Sequence, residues 1–162
     1  MVPHIKEGLV MNEFEEMDFE KKKYIVFQLH DEEFAIPVSQ VQGLEKLLKI
    51  TRVPGAAPEV KGVINLRGVI TPVIDLKICL DLPVSEFTES TRIILVNVNN
   101  SEVGLLVDDA SDVLDINMKN IEPSPDVIGG KEVAYVDGVY SIDKRLLLLL
   151  NLNRALNVDP VQ

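Results

Sequence analysis

An internal repeat constrains this chain more than any other feature. Gly62-Val63-Ile64-Asn65-Leu66-Arg67-Gly68-Val69-Ile70 lies without gaps over Gly138-Val139-Tyr140-Ser141-Ile142-Asp143-Lys144-Arg145-Leu146, and Asp75-Leu76 then meets Asn151-Leu152. Upstream, Phe34-Ala35-Ile36 and Val38 meet Val103-Gly104-Leu105 and Val107, and Pro54 meets Pro123 with a small insertion before Gly138. A unit repeated within one chain buries its apolar face against its copy. The repeat therefore predicts two copies of one small barrel, packed with pseudo-twofold symmetry.

The units read as strands. Tyr24 to Leu29, a polar turn at His30-Asp31-Glu32-Glu33, and Phe34 to Val38 form a hairpin signature. Val41, Leu44, Leu47 and Leu48 have helix-compatible spacing, so 41–49 reads as a short turn of helix leading into strand. Strands follow at Val60 to Leu66 and Val69 to Leu76, joined at Arg67-Gly68, then at Thr91 to Val98, Val103 to Val107 and Val113 to Met118. Further strands are expected at 132–137, 138–143 and 145–150, with a short helix over Asn151 to Leu156. Leu146 to Leu150 reads as a strand buried on both faces. Pro72 cannot donate to a ladder, so its strand should lie at an edge or carry a break there. With aromatics at 5% and no Trp, the core must be built from Val, Ile and Leu, which suits a mainly β fold.

Residues 1–22 form a charged tail or loose helix in which Met11, Phe14, Met17 and Phe19 recur near helical spacing. Residues 23–157 make up the folded domain, and 158–162 a C-terminal tail. No apolar run approaches bilayer length and no signal-peptide pattern opens the chain, so a cytoplasmic, soluble protein is expected. A net charge of −10 with no basic stripe argues against nucleic acid. Cys79, the single cysteine, rules out an internal disulfide and reads as a small buried hydrophobe.

The residues offer no catalytic constellation. His4 and His30 stand far apart in sequence without metal-ligand spacing, and neither a nucleophile elbow nor a phosphate-binding glycine loop is present. Asp108, Asp109 and Asp112 form the tightest carboxylate cluster, and their place at a strand end favours turn and capping roles. Arg67 stands out instead. The second copy carries Asp143 at its position, so the fold accepts either charge there and leaves Arg67 free to anchor a partner's carboxylate or carbonyls.

Gly62 to Leu76 spells Gly-x-x-Asn-Leu-Arg-Gly-x-x-x-Pro-x-x-Asp-Leu, and here the chain resembles the CheW family of bacterial chemotaxis coupling proteins. The likeness extends through Phe34 to Val38, Val41-Gln42, Arg52-Val53-Pro54 and Val103 to Asp108, covering roughly residues 22–157. The resemblance implies a mainly β fold of two SH3-like five-stranded barrels, intertwined, with short helices at connections and the C-terminus. It also implies a non-enzymatic adaptor without cofactor. Its partners would be the cytoplasmic hairpin tip of methyl-accepting chemotaxis receptors, bound in a groove between the barrels, and the regulatory domain of the histidine kinase CheA. Receptors would recruit it to the inner face of the membrane without direct insertion. By position, Val41, Gly43, Lys61, Gly62, Asn65 and Arg67 would face the receptor, although Gly43 stands where the family often has glutamate. The kinase contact would lie on the first barrel around Glu32 and Val38. Two rival readings are a fragment of a larger kinase or receiver fusion, and a small-ligand barrel using the cleft between the lobes.

Overall fold

The computed structural model describes residues 20–123 and 134–157. The stripe of Met11, Phe14, Met17 and Phe19, His4 and the tail at 158–162 lie outside them. The described residues form ten strands, interrupted by short helical turns: β1 (Lys21–Leu29), β2 (Glu32–Pro37), β3 (Val41–Lys46), β4 (Val60–Leu66), β5 (Val69–Asp75), β6 (Arg92–Val98), β7 (Ser101–Val107), β8 (Asp109–Asn117), β9 (Val136–Ile142) and β10 (Arg145–Leu150). Helix α1 (Leu76–Cys79) follows β5, and α2 (Leu152–Ala155) follows β10. Single 3-10 turns precede β3 at Val38–Gln40 and follow β8 at Met118–Asn120.

The strands form two five-stranded sheets, in the orders β8-β1-β2-β10-β9 and β3-β6-β7-β5-β4. A bridge between Glu122 and Val139 closes the first into a barrel, and one between Thr51 and Val63 closes the second. The two copies of the repeat do not coincide with the two barrels. Each copy gives its opening hairpin to one barrel and its remaining three strands to the other, so parallel pairs β2·β10 and β5·β7 stitch the halves together.

The pseudo-symmetry extends to single residues. The parallel register sets Leu149 opposite Ala35 in the first barrel and Val73 opposite Gly104 in the second. Left-handed backbone recurs in matched turns: His30 and Asn99 (φ 57° and 51°), Arg67 and Asp143 (51° and 54°), Asp81 and Asn157 (61° and 54°). The same barrel-closing bridge recurs beside Gly62 and Gly138.

Continuous apolar strands arise because both faces are covered. Tyr24 and Val26 point into the first barrel with Ala35, Ile116, Leu147 and Leu149. Ile25, Phe27 and Leu29 point the other way, into a cluster with β2, β6, β7 and both helices that fills the space between the barrels. Phe27 and Phe34 stack there with ring centroids 6.1 Å apart. Ile64, Leu66, Val73, Ile93 and Leu95 fill the second barrel.

Three expectations need correction, and a fourth resolves between its alternatives. Residues 41–46 are strand throughout, and the helical turn comes before them: Gly43 pairs with Leu95 of β6, so the spacing of Val41, Leu44, Leu47 and Leu48 arises from a bulged strand and its exit. The strands expected at 132–137 and 138–143 are one strand beginning at Val136, where its partner β10 ends at Leu150; residues 131–133 lie outside the description. Leu146 is 51% exposed, since it occupies the hairpin end of β10, and only the following leucines are covered. For Pro72 the second alternative holds: β5 is an internal strand, but its ladder to β7 is broken off at this residue. Val63 opposite it spends both backbone groups on Thr51, and the parallel ladder to β7 starts one residue later at Val73, so the missing N–H has no partner to lose.

Asp75 and Asn151 make a direct comparison. Each caps its short helix, Asp75 accepting from Lys77 N at 2.9 Å and Asn151 from Arg154 N at 3.1 Å. Asp75 is buried, and desolvation raises its pKa, opposed by the Lys77 amide and the charges of Lys77 and Lys61. A raised native pKa means the fold binds this proton more tightly than the unfolded chain does. Its contribution to stability is therefore largest in acid and shrinks as pH rises through the native value. Asp75→Asn keeps the cap without the charge, as Asn151 does. It is expected to match or exceed wild-type stability at pH 7 and to flatten this pH dependence, whereas Asp75→Ala loses about 1 kcal/mol with the cap. Urea unfolding at pH 4 and pH 7 checks both.

Candidate interaction surface

The segment singled out by its motif forms the β4–β5 hairpin of the second barrel. Gly62, Ile64 and Leu66 point inward, which leaves Lys61, Val63 and Asn65 on the outer face of β4. Across the ladder Ile70 stands opposite Asn65 and Pro72 opposite Val63. Ile70 is 63% exposed and Val69, beside the turn, 58%. The hairpin thus presents an apolar strip bordered by Lys61 at one end and Arg67 at its tip.

The tip is rigid for local reasons. Arg67 and Gly68 both take positive φ, at 51° and 86°, and the Asn65 side chain accepts from Gly68 N at 2.8 Å. Arg67 itself is exposed; its guanidinium reaches Glu45 on β3 at 3.5 Å, a loose contact from the hairpin turn to a strand of the same barrel.

The other residues expected at the surface divide. Val41 packs against the apolar cluster between the barrels, so little of it faces outward. A Cβ at Gly43 would meet Leu95 at 3.3 Å, which makes that position an inward one. A Cβ at Gly62 would lie 2.2 Å from the Thr51 carbonyl oxygen, so this glycine is required for barrel closure. Glu45 and Arg67 join β3 to the hairpin tip, while Lys61, Asn65 and Arg67 share one hairpin. Glu32 opens β2 in the first barrel and Val38 follows its end, separated by the length of a six-residue strand, roughly 20 Å. Both are half-buried, and Val38 leans on the inter-barrel cluster.

Asp108 has the structural role its position suggested. Its carboxylate accepts His30 N at 2.7 Å and pairs with the Lys77 ammonium at 2.5 Å, while Lys77 also donates to Ser85 Oγ at 2.8 Å. Lys77 is buried, a placement hidden in the sequence because Leu76-Lys77-Ile78 reads like any helical turn. Asp112 joins Arg145, which also grips Glu33 through two bonds of 3.0 Å. Cys79 is half-buried, and desolvation, with the charges of Glu59 and Asp75, pushes its thiol up to about 11, leaving it inert as a thiolate at neutral pH. Among the described residues no three His, Cys, Asp or Glu side chains are grouped to hold a metal, and no helix is long and apolar enough to cross a membrane.

The comparisons with known proteins agree with this architecture. Residues 23–159 match the CheW-like domain family. The chain is 42% identical over 141 residues to the chemotaxis protein CheW of Bacillus subtilis (strain 168), covering 87% of this chain and 90% of that one. It is 32% identical to the chemotaxis protein CheW of Klebsiella aerogenes, covering 86% and 84%. The crystal structure of the scaffolding protein TtCheW from Thermoanaerobacter tengcongensis superposes with a TM-score of 0.77 at 33% identity, covering 85% of this chain and 89% of that one.

Proposed function

This chain belongs to the CheW family, and from that premise we propose that it is a non-enzymatic chemotaxis adaptor that couples methyl-accepting receptors to the histidine kinase CheA. The observation that carries the receptor half is the β4–β5 hairpin. A strip of Val63, Ile70 and Pro72, bordered by Lys61 and Arg67, offers apolar contact to one side of a helical hairpin and cations to its acids or carbonyls. Arg67 is the anchor, because it is exposed, held on a rigid turn, and only loosely paired with Glu45. Lys61 and Asn65 support it from the same face. Val41, Gly43 and Gly62 act by shaping this barrel.

The kinase surface is proposed on the first barrel along β2, with Glu32 at the start of the strand and Val38 just past its end. Placing the two contacts on different barrels lets both partners bind together, and the receptors hold the adaptor at the inner face of the membrane. Calorimetric titration of wild type, Arg67→Ala and Glu32→Lys against a soluble receptor hairpin fragment and the CheA regulatory domain tests this division. Arg67→Ala is expected to weaken receptor binding roughly tenfold, the scale of an arginine hot spot, and to leave kinase binding alone. Glu32→Lys is expected to do the converse. Equal losses toward both partners from either substitution would contradict the proposal.

A further inference from the structure

The first barrel holds a cavity of about 280 Å³ between its open end and helix α2. Met118 and Ile121 line it on one side; Gln40, Asp137, Asn151 and Asn153 supply polar groups. Tyr24 also lines it and is only 6% exposed, yet among the described residues its hydroxyl meets only the Met118 sulfur, at 4.0 Å. That is a poor partner for a buried phenol, which normally finds a better one. Asp137 is the single acidic side chain of the lining. Its oxygens accept from Asn151 Nδ2 at 3.2 Å, and Arg154, itself exposed, stands 3.8 Å away.

The second barrel shows what is missing. The shift of 76 residues that carries Gly62 onto Gly138 carries Lys61 onto Asp137, Asp75 onto Asn151 and Lys77 onto Asn153. The second barrel therefore has two lysines at this end, and both charges act favourably on Asp75. The first barrel has no lysine at either position and carries a carboxylate in place of one.

We propose that this cavity binds a small organic cation, a short aliphatic chain ending in an ammonium group. The charge sits at Asp137, the Tyr24 oxygen accepts a hydrogen bond from it, and the chain lies against Met118 and Ile121. The volume lies just below the usual range of small-molecule sites, roughly 300–1,000 Å³, which restricts the ligand to the size of a lysine side chain. Such a group can come from a free amine or from a partner's lysine.

The test is an NMR titration of the full-length ¹⁵N-labelled chain with n-butylammonium at fixed ionic strength. The neutral n-butanol and a short peptide bearing one lysine are titrated in parallel. Saturable shifts at the amides of Gln40, Asp137, Asn151 and Asn153 are expected with n-butylammonium and not with n-butanol. Asp137→Asn should weaken binding roughly fivefold, as befits a half-exposed carboxylate, and Tyr24→Phe should also weaken it. If the peptide reproduces the response the source is a protein side chain, and if only the free amine does, a small molecule. Absence of saturable shifts with either ammonium probe, an equal response to n-butanol, or unchanged binding by Asp137→Asn would overturn the proposal.

Discussion

Gly62→Ala is expected to lower the stability of the domain by about 3–4 kcal/mol, a large share of the total for a protein this size. The added Cβ would sit 2.2 Å from the Thr51 carbonyl oxygen, 2.8 Å from its carbon and 2.9 Å from Ile50 Cγ2, at a φ of 149°. Two of those three atoms are backbone, so no rotamer relieves the clash. Relief requires Thr51 to move away, which breaks the reciprocal pair Thr51 N to Val63 O and Val63 N to Thr51 O, both 2.8 Å, that closes the barrel. Gly138→Ala should cost less, because its Cβ would lie 2.6 Å from Ile121 Cγ2 and 2.9 Å from the Glu122 carbonyl oxygen, against 2.2 Å at Gly62, and Gly138 does not share the positive φ. Gly68→Ala should cost only about 1 kcal/mol for left-handed backbone, since nothing lies within 4 Å. Denaturant unfolding of the three variants gives the order Gly62, Gly138, Gly68. Equal small losses would mean the barrel is not closed at Thr51. Because any proposed receptor contact would be lost with the fold, Gly62 is a poor probe of the interface.

Breaking the Lys77–Asp108 pair is expected to be nearly as damaging. Lys77→Met removes a buried ammonium and leaves Asp108, 27% exposed at its side chain, with only its contact to His30 N; a loss of about 2–4 kcal/mol follows. Asp108→Asn leaves the ammonium with Ser85 and a weaker acceptor, and a similar loss is expected. The pair ties α1 of the second barrel to the β1–β2 turn of the first, so it also bears on how the barrels are joined. A double-mutant cycle by urea unfolding should show the combined variant losing clearly less than the two single losses together. Strict additivity would show that the two side chains do not act on one another.

The hairpins could be read from sequence because turn residues and apolar parity agree: Asn99-Asn100 and Arg67-Gly68 occupy left-handed turns, and the flanking residues alternate correctly. Strand β3 could not, since a bulge at Val41/Gly43 breaks its alternation and imitates helical spacing. The intertwining of the halves was implied by the family resemblance and not by the repeat itself. A repeat equates residues between copies, but it carries no record of which copy's strands pair, and the parallel β2·β10 and β5·β7 ladders are long-range contacts. At the surface, the place of Arg67 on an exposed turn was legible, whereas Gly62 and Gly43 carried two signals at once. A glycine needed for close backbone approach looks the same in sequence as one left bare for a partner. Buried Lys77 and the Tyr24–Asp137 cavity depend on tertiary placement alone, and no local pattern announced them.

The most direct test of the adaptor reading is sedimentation velocity on this chain mixed with a soluble receptor hairpin fragment and the CheA regulatory domain together. The expected result is a complex heavier than either binary one, containing all three components, reduced by Arg67→Ala through loss of the receptor fragment alone. Two binary complexes that exclude one another, with no ternary species at any ratio, would contradict the claim that the chain couples its partners.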